Sequence, residues 1–213
     1  AAAASCRLAD VYAEQALALR MANDQRLSTL LGIRLSGKAP GSEKAKRLAS
    51  TFNLANIACG WGAVEPSEGR RDWSQSDKPV EWARNEGMRV CIGPLLEFDD
   101  KLLPDWAYLF EGDVEMLTSL MIGHVRAAVQ RYRGKAQLWH VGSKINRDKI
   151  LSLSDEQRLQ IIASAVRVIR QLDPSTPVVV GIDQPWGEYR ATRPGDLTPL
   201  DFADALERAD LGI

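Results

Sequence analysis

Five short apolar runs recur along the chain: LLGIRL at 30–35, LANIAC at 54–59, RVCIGPLL at 89–96, AQLWHV at 136–141 and PVVVGI at 177–182. Runs so short and so nearly continuous suit strands buried on both faces, the pattern of parallel sheets. A helix-forming stretch follows each. Residues 43–52 and 77–87 come after the first two, the second closing on Gly87. From the N-cap Asp113, the positions Val114, Leu117, Met121, Val125, Ala128 and Tyr132 make one apolar face that ends near Gly134. SDEQ at 154–157 has the capping-box pattern, and the periodic residues Leu159, Ile162, Ala163, Val166 and Ile169 run from it to the stop at Asp173-Pro174. A last helix spans TPLDFADALERADLG, with Pro199 in its first turn and Gly212 past its end. Alternation of this kind predicts an α/β fold of parallel strands and helical crossovers, either an open doubly wound sheet or a (β/α)8 barrel.

The chain is 45% hydrophobic and 26% charged, which describes a globular protein with a sizeable core. Its formal charge of -1 carries no footprint for nucleic acid, and no segment suits membrane insertion. Polysaccharide, oligosaccharide or protein partners fit better, including further subunits or the rest of a longer chain. Cys6, Cys59 and Cys91 lack CxxC or metal spacing and read as buried reduced thiols. The opening AAAASC is no secretory signal; localisation stays open, with a lean to the cytoplasm. Apolar residues at Leu8, Val11, Tyr12, Ala16 and Leu19 predict a leading amphipathic helix, so residues 1–26 are assigned to it and 27–213 to the strand-helix array.

The loops after the strands carry chemistry of one kind. The first is GKAPGSEK, with no GxGxxG for a dinucleotide, and GxxxxGK[ST], HExxH and GxSxG are absent. No cofactor or metal is therefore expected. Tryptophans and carboxylates take their place: Trp61 and Glu65 after the second strand, Glu97, Asp99 and Asp100 after the third, Trp139 in the fourth, Asp183, Gln184, Trp186 and Glu188 after the fifth. Barrels bind ligands at this carboxyl-terminal face. Rings that stack on C–H faces beside acceptors for hydroxyls suit a sugar.

At FNLANIACGWGAVEPSEGRRDWSQSDKPVEWARNEGMRV (52–90), GPLLEFDDKLLPDWA (93–107) and YRGKAQLWHV (132–141) the chain resembles glycoside hydrolase family 10, the xylanase-type barrels. The family words are a tryptophan followed by EPxxGxFxF, then GHTLVWHxQxPxW and YKGKIxxWDVVNE, in the same order. The resemblance covers about residues 27 to 213. It also touches an uncharacterised bacterial branch that shares the word DQPWGEY. It implies a (β/α)8 barrel, of which this chain's length covers about the first five units. The rest would lie on further sequence or on another chain, unless the fold is an open five-stranded version.

Carried over by position, the family chemistry fails. A retaining glycosidase uses two carboxyl groups about 5 Å apart, one as proton donor and one as nucleophile. The resemblance places the acid/base glutamate at Lys144 and the asparagine before it at Ser143, while ENxMKW becomes NIACGW, with only Trp61 kept. No catalytic residue stands out; Glu188, Asp183 and Glu97 are weak candidates, and Trp61, Trp139, Lys144, Gln184 and Trp186 are candidates for substrate contact. Lys144 reads as a solvated loop residue, a partner for Asp183 or Glu188, or a reactive amine. Three functions fit: a non-catalytic, glycan-binding or structural relative of family 10, which is favoured; an active glycosidase on a polysaccharide such as xylan, with relocated carboxylates; and an assembly protein that exposes Leu200, Phe202, Leu206 and Leu211 of the last helix.

Overall fold

The computed structural model describes residues 2–23, 29–37, 39–146, 150–192 and 196–212. The chain divides into two compact units, residues 1–30 and 31–213. In the first, α1 (Ala2–Asn23) lies within the 1–26 segment assigned to the leading helix. Its many alanines, the best helix formers, favour it.

The second unit alternates in the predicted way. Its elements are β1 (Gly32–Leu35), α2 (Ser42–Thr51), β2 (Leu54–Ile57), α3 (Trp61–Val64), α4 (Ser74–Asn85), β3 (Arg89–Ile92), β4 (Leu96–Glu97), α5 (Val114–Tyr132), β5 (Leu138–Ser143), α6 (Asp155–Leu172), β6 (Val178–Val180) and α7 (Pro199–Arg208). All strand pairings are parallel. β2 lies between β1 and β3, and β5 pairs with β3 and β4 as well as with β6. The run at 89–96, expected as one strand, is thus two segments beside β5. Gly93 interrupts it at φ 132°, a conformation side chains avoid, and a Cβ there would collide with the His140 carbonyl.

Register sorts the two faces of this sheet. Leu35, Ile57, Ile92, Trp139 and Val178 form one row, and every one of them is buried. This row faces the helices, because the indole Nε1 of Trp139 donates to Asp173 Oδ2 (2.9 Å) at the end of α6. The neighbouring row, Arg34, Asn56, Cys91 and Leu138, faces the other way, and His140 joins it two residues along β5. Barrel interiors are usually filled by bulky branched residues, so an arginine, an asparagine and a histidine on that face mark it as unusual.

Helix ends follow the sequence. Ser154 and Thr198 each close a capping box, with Gln157 and Asp201. Phe202, Leu206 and Leu211, expected as exposed apolar surface, are buried, and only Leu200 stands out at 77% exposure. They belong to the chain's own core, into which the apolar face of α7 packs beside α6.

Candidate functional site

Polar groups meet where the strands end. From β1, Arg34 Nη2 donates to Glu97 Oε1 across 3.1 Å; the glutamate, at the end of β4, is 6% exposed. Glycine at position 60 leaves room for this carboxylate, since a Cβ there would come within 3.0 Å of Glu97 Oε2. The pair borders a cavity of about 330 Å³ that Asp72, Gln75 and Ser76 also line. A charged residue inside the apolar run LLGIRL was the only sequence sign of Arg34.

Beyond Glu97 the chain turns to Asp99, which accepts an ion-paired hydrogen bond from Lys144 Nζ. Of the readings open to it, Lys144 is thus neither a free loop residue nor a partner of Asp183 or Glu188: it pairs with Asp99. The lysine sits just past β5 at φ 59°, in the left-handed region, which aims its side chain at the loop after β4. The hydrogen bond from Lys144 holds the Asp99 carboxyl below the usual range.

Asn146, which sequence reasoning missed, ties the next loop down. Its side chain mimics a strand neighbour, donating to the Asp183 carbonyl (2.6 Å) and accepting from the Asp183 amide (2.9 Å). It is 1% exposed. The loop it holds carries Gln184 at φ 48°, Trp186 at 88% exposure, and Glu188 at the surface.

The remaining tryptophans lie elsewhere. Trp61 is 1% exposed and donates to Glu65 Oε2 at 3.2 Å; Trp139 is 0% exposed. Neither ring has a face open to a ligand, which corrects the expectation that they contact substrate. Trp139 points from β5 to the helix layer, and Trp61, the first residue of α3, packs edge-on against Trp106 with ring centroids 5.2 Å apart. Glu65 serves the turn after β2, accepting also from the Gly69 amide and from Arg71. Trp73 stacks on His124, and Trp106 bonds the Glu65 carbonyl.

Four buried polar atoms near the strand ends make no hydrogen bond: Asn56 Oδ1, His140 Nε2, Ser143 Oγ and Gln184 Oε1. Burial lowers the pKa of His140 and pushes the Cys91 thiol, on the same face of the sheet, up to about 12, so neither carries charge at neutral pH. Among the described residues no cluster of three or more His, Cys, Asp or Glu could hold a metal ion, and no helix is long and apolar enough to cross a membrane.

The model of glycosyl hydrolase family 10 matches residues 21–175. The chain belongs to this family. Among curated family 10 relatives, endo-1,4-beta-xylanase B of Humicola insolens is 30% identical over 119 residues, 54% of this chain and 31% of its own. The endo-1,4-beta-xylanase of Agaricus bisporus is 29% identical over 142 residues, 63% of this chain and 42% of its own. The chain thus spans well under half the length of either. Of the solved structures, the family 10 protein of Paenibacillus barcinonensis aligns with TM-score 0.69 at 21% identity, over 87% of this chain and 58% of that one. Xylanase 10B of Thermotoga maritima aligns at 0.63 and 18%, over 86% and 67%. At such identities the structural likeness establishes the fold: a partial barrel of the xylanase type.

Proposed function

We propose that this family 10 barrel module binds a β-linked glycan such as xylan without cleaving it. Lys144 carries the reading. It occupies the place that the resemblance gives to the proton-donating glutamate, and it is spoken for by Asp99. Breaking a glycosidic bond needs a proton delivered to the leaving oxygen and a carboxylate at the anomeric carbon. Ordinary lysine and glutamate side chains differ by ~6 pKa units as acids, so an ammonium engaged by a carboxylate is a poor substitute. Glu97, the buried carboxylate at the strand ends, is itself held by Arg34. Asp183 and Glu188 lie on the loop after β6, where Asn146 grips the backbone of Asp183 and leaves its carboxylate half-exposed. The exposed Trp186 and the unpartnered polar atoms support binding, and the xylanases among the relatives make xylan the first ligand to try.

Calorimetric titration with xylohexaose, run beside a reducing-sugar assay on xylan, tests this directly. The expected result is saturable binding with no sugar release. Turnover of xylan by the protein, abolished on mutation of Glu97 to Gln, would sink the reading in favour of a relocated active site. Absence of binding to any xylan fragment would remove glycan recognition altogether.

A further inference from the structure

The cavity that Arg34 and Glu97 border holds charges that do not cancel. Glu97 is 6% exposed, yet only half of its carboxylate is engaged: Oε1 accepts from Arg34 Nη2 at 3.1 Å, and among the described residues nothing donates to Oε2. That second oxygen faces the space a side chain at position 60 would fill, since a Cβ there would lie 3.0 Å from it. Arg34 is 55% exposed, so solvent screens much of its positive charge. Asp72 adds a second carboxylate to the lining. A hydrogen bond from the Ser74 amide (2.8 Å) holds the Asp72 carboxyl below the usual range, and the charge offsets the positive end of α4.

The lining therefore sets two carboxylates against one guanidinium that is already engaged. It is also rich in acceptors. Ser76 spends its only hydroxyl proton on the Ala58 carbonyl at 3.0 Å, so what it can offer a ligand is a lone pair. An anion would meet both carboxylates, and a neutral hydroxyl would leave the excess negative charge unanswered. A metal ion asks for more ligands than this, and among the described residues no group of three or more His, Cys, Asp or Glu could supply them. An ammonium brings one positive charge and three donors with no acceptor, which suits the set. The rest of the lining is apolar, from Ala58, Ala63, Val64 and Leu102. At ~30 Å³ for each water-sized group, 330 Å³ accommodates a molecule of about ten non-hydrogen atoms.

We propose that this cavity binds a small primary amine, with its ammonium on Glu97 Oε2 and its apolar body against Ala58, Ala63, Val64 and Leu102. The site goes beyond the glycan-binding reading and does not depend on it, since it uses neither Lys144 nor Trp186. Arg34 has a defined part in it. Its guanidinium competes with the ligand's ammonium for one carboxylate, so it limits affinity for an amine and would raise affinity for an anion. That difference in sign separates an amine site from a site built on the arginine.

The test is titration of the ¹⁵N-labelled full chain at pH 7 with benzylamine, benzyl alcohol and benzoate, three probes of similar shape and different charge, followed through amide chemical shifts. Benzylamine is expected to shift the amides of Gly60, Ala63 and Ser76 saturably, with a Kd of about a millimolar or below. Benzyl alcohol should bind at least tenfold more weakly, and benzoate more weakly still. Glu97→Gln, which keeps the shape and removes the charge, should weaken benzylamine at least tenfold, whereas Arg34→Met should tighten it roughly threefold or more. Thermal unfolding shows whether each variant is folded, and if neither is, the three probes on the wild type decide alone. The proposal is overturned if benzylamine causes no saturable shifts around Gly60, if the alcohol binds as well, if benzoate binds best, or if a folded Arg34→Met variant binds benzylamine more weakly. None of these results bears on the binding of xylan.

Discussion

At the scale of single residues, the ion pair of Lys144 with Asp99 separates two ideas about this family member. Restoring the family's glutamate with Lys144→Glu is expected to give no detectable xylan hydrolysis, because Asn56, Ile57 and Gly60 still stand where the resemblance puts sugar-binding groups. The variant should also be less stable, by about 1 kcal/mol, since it replaces a partly exposed attraction with a repulsion. Adding Asp99→Asn should recover that loss, and xylan turnover by the single variant would contradict the account. A second residue governs acid stability. His124 is fully buried, bonds the Cys59 carbonyl through Nε2 (3.1 Å), and is held by burial at a pKa of about 4. The unfolded chain takes up this proton near pH 6.5 and the folded chain does not. Stability is therefore complete above about pH 6.5 and falls as the pH drops toward 4, by about 3 kcal/mol at most. Denaturant melts at pH 7 and 4.5 should show a smaller acid loss in His124→Gln than in the wild type.

At the scale of elements, what matters is how loops are tied to strand ends. Asn146 makes both backbone bonds to Asp183 from a buried position, so Asn146→Ala leaves a main-chain donor and acceptor without partners. The expected cost is about 1–3 kcal/mol, with a greater rise in amide exchange over residues 181–189 than elsewhere. Uniform exchange across the chain would show that the loop does not depend on this anchor. These ties also explain what reading the sequence could and could not reach. Capping at Ser154 and Thr198 depends on residues three apart, so it is visible in a string of letters. The contacts Arg34–Glu97, Asp99–Lys144 and Asn146–Asp183 join residues tens of positions apart, and nothing local marks either member as the partner of the other.

At the scale of the molecule, the second unit is built around its own core, which runs from Leu35 in β1 to Leu211 past α7. A chain beginning at Leu31 is expected to keep its near-ultraviolet circular dichroism and to melt within a few degrees of the full chain; loss of that signal would show that residues 1–30 contribute to the fold. The five apolar runs and the helices between them were legible from periodicity alone, because burial imposes a period of two or 3.6 wherever an element has an inner side. Family membership was legible as well, from short words in a fixed order. Which way a strand-end side chain points was not. Trp61 and Trp139 occupy positions where a ring could line the ligand-binding end, yet parity along β5 and the bond to Asp173 turn Trp139 into the helix layer, while Trp61, at the start of α3, is buried against Glu65 and Trp106. The same parity sends Arg34, Asn56 and His140 to the opposite face. Local sequence determined where strands and helices lie, because periodicity is a property of neighbouring residues; only the tertiary structure decided which polar groups share the site, because strand register and loop closure set those distances.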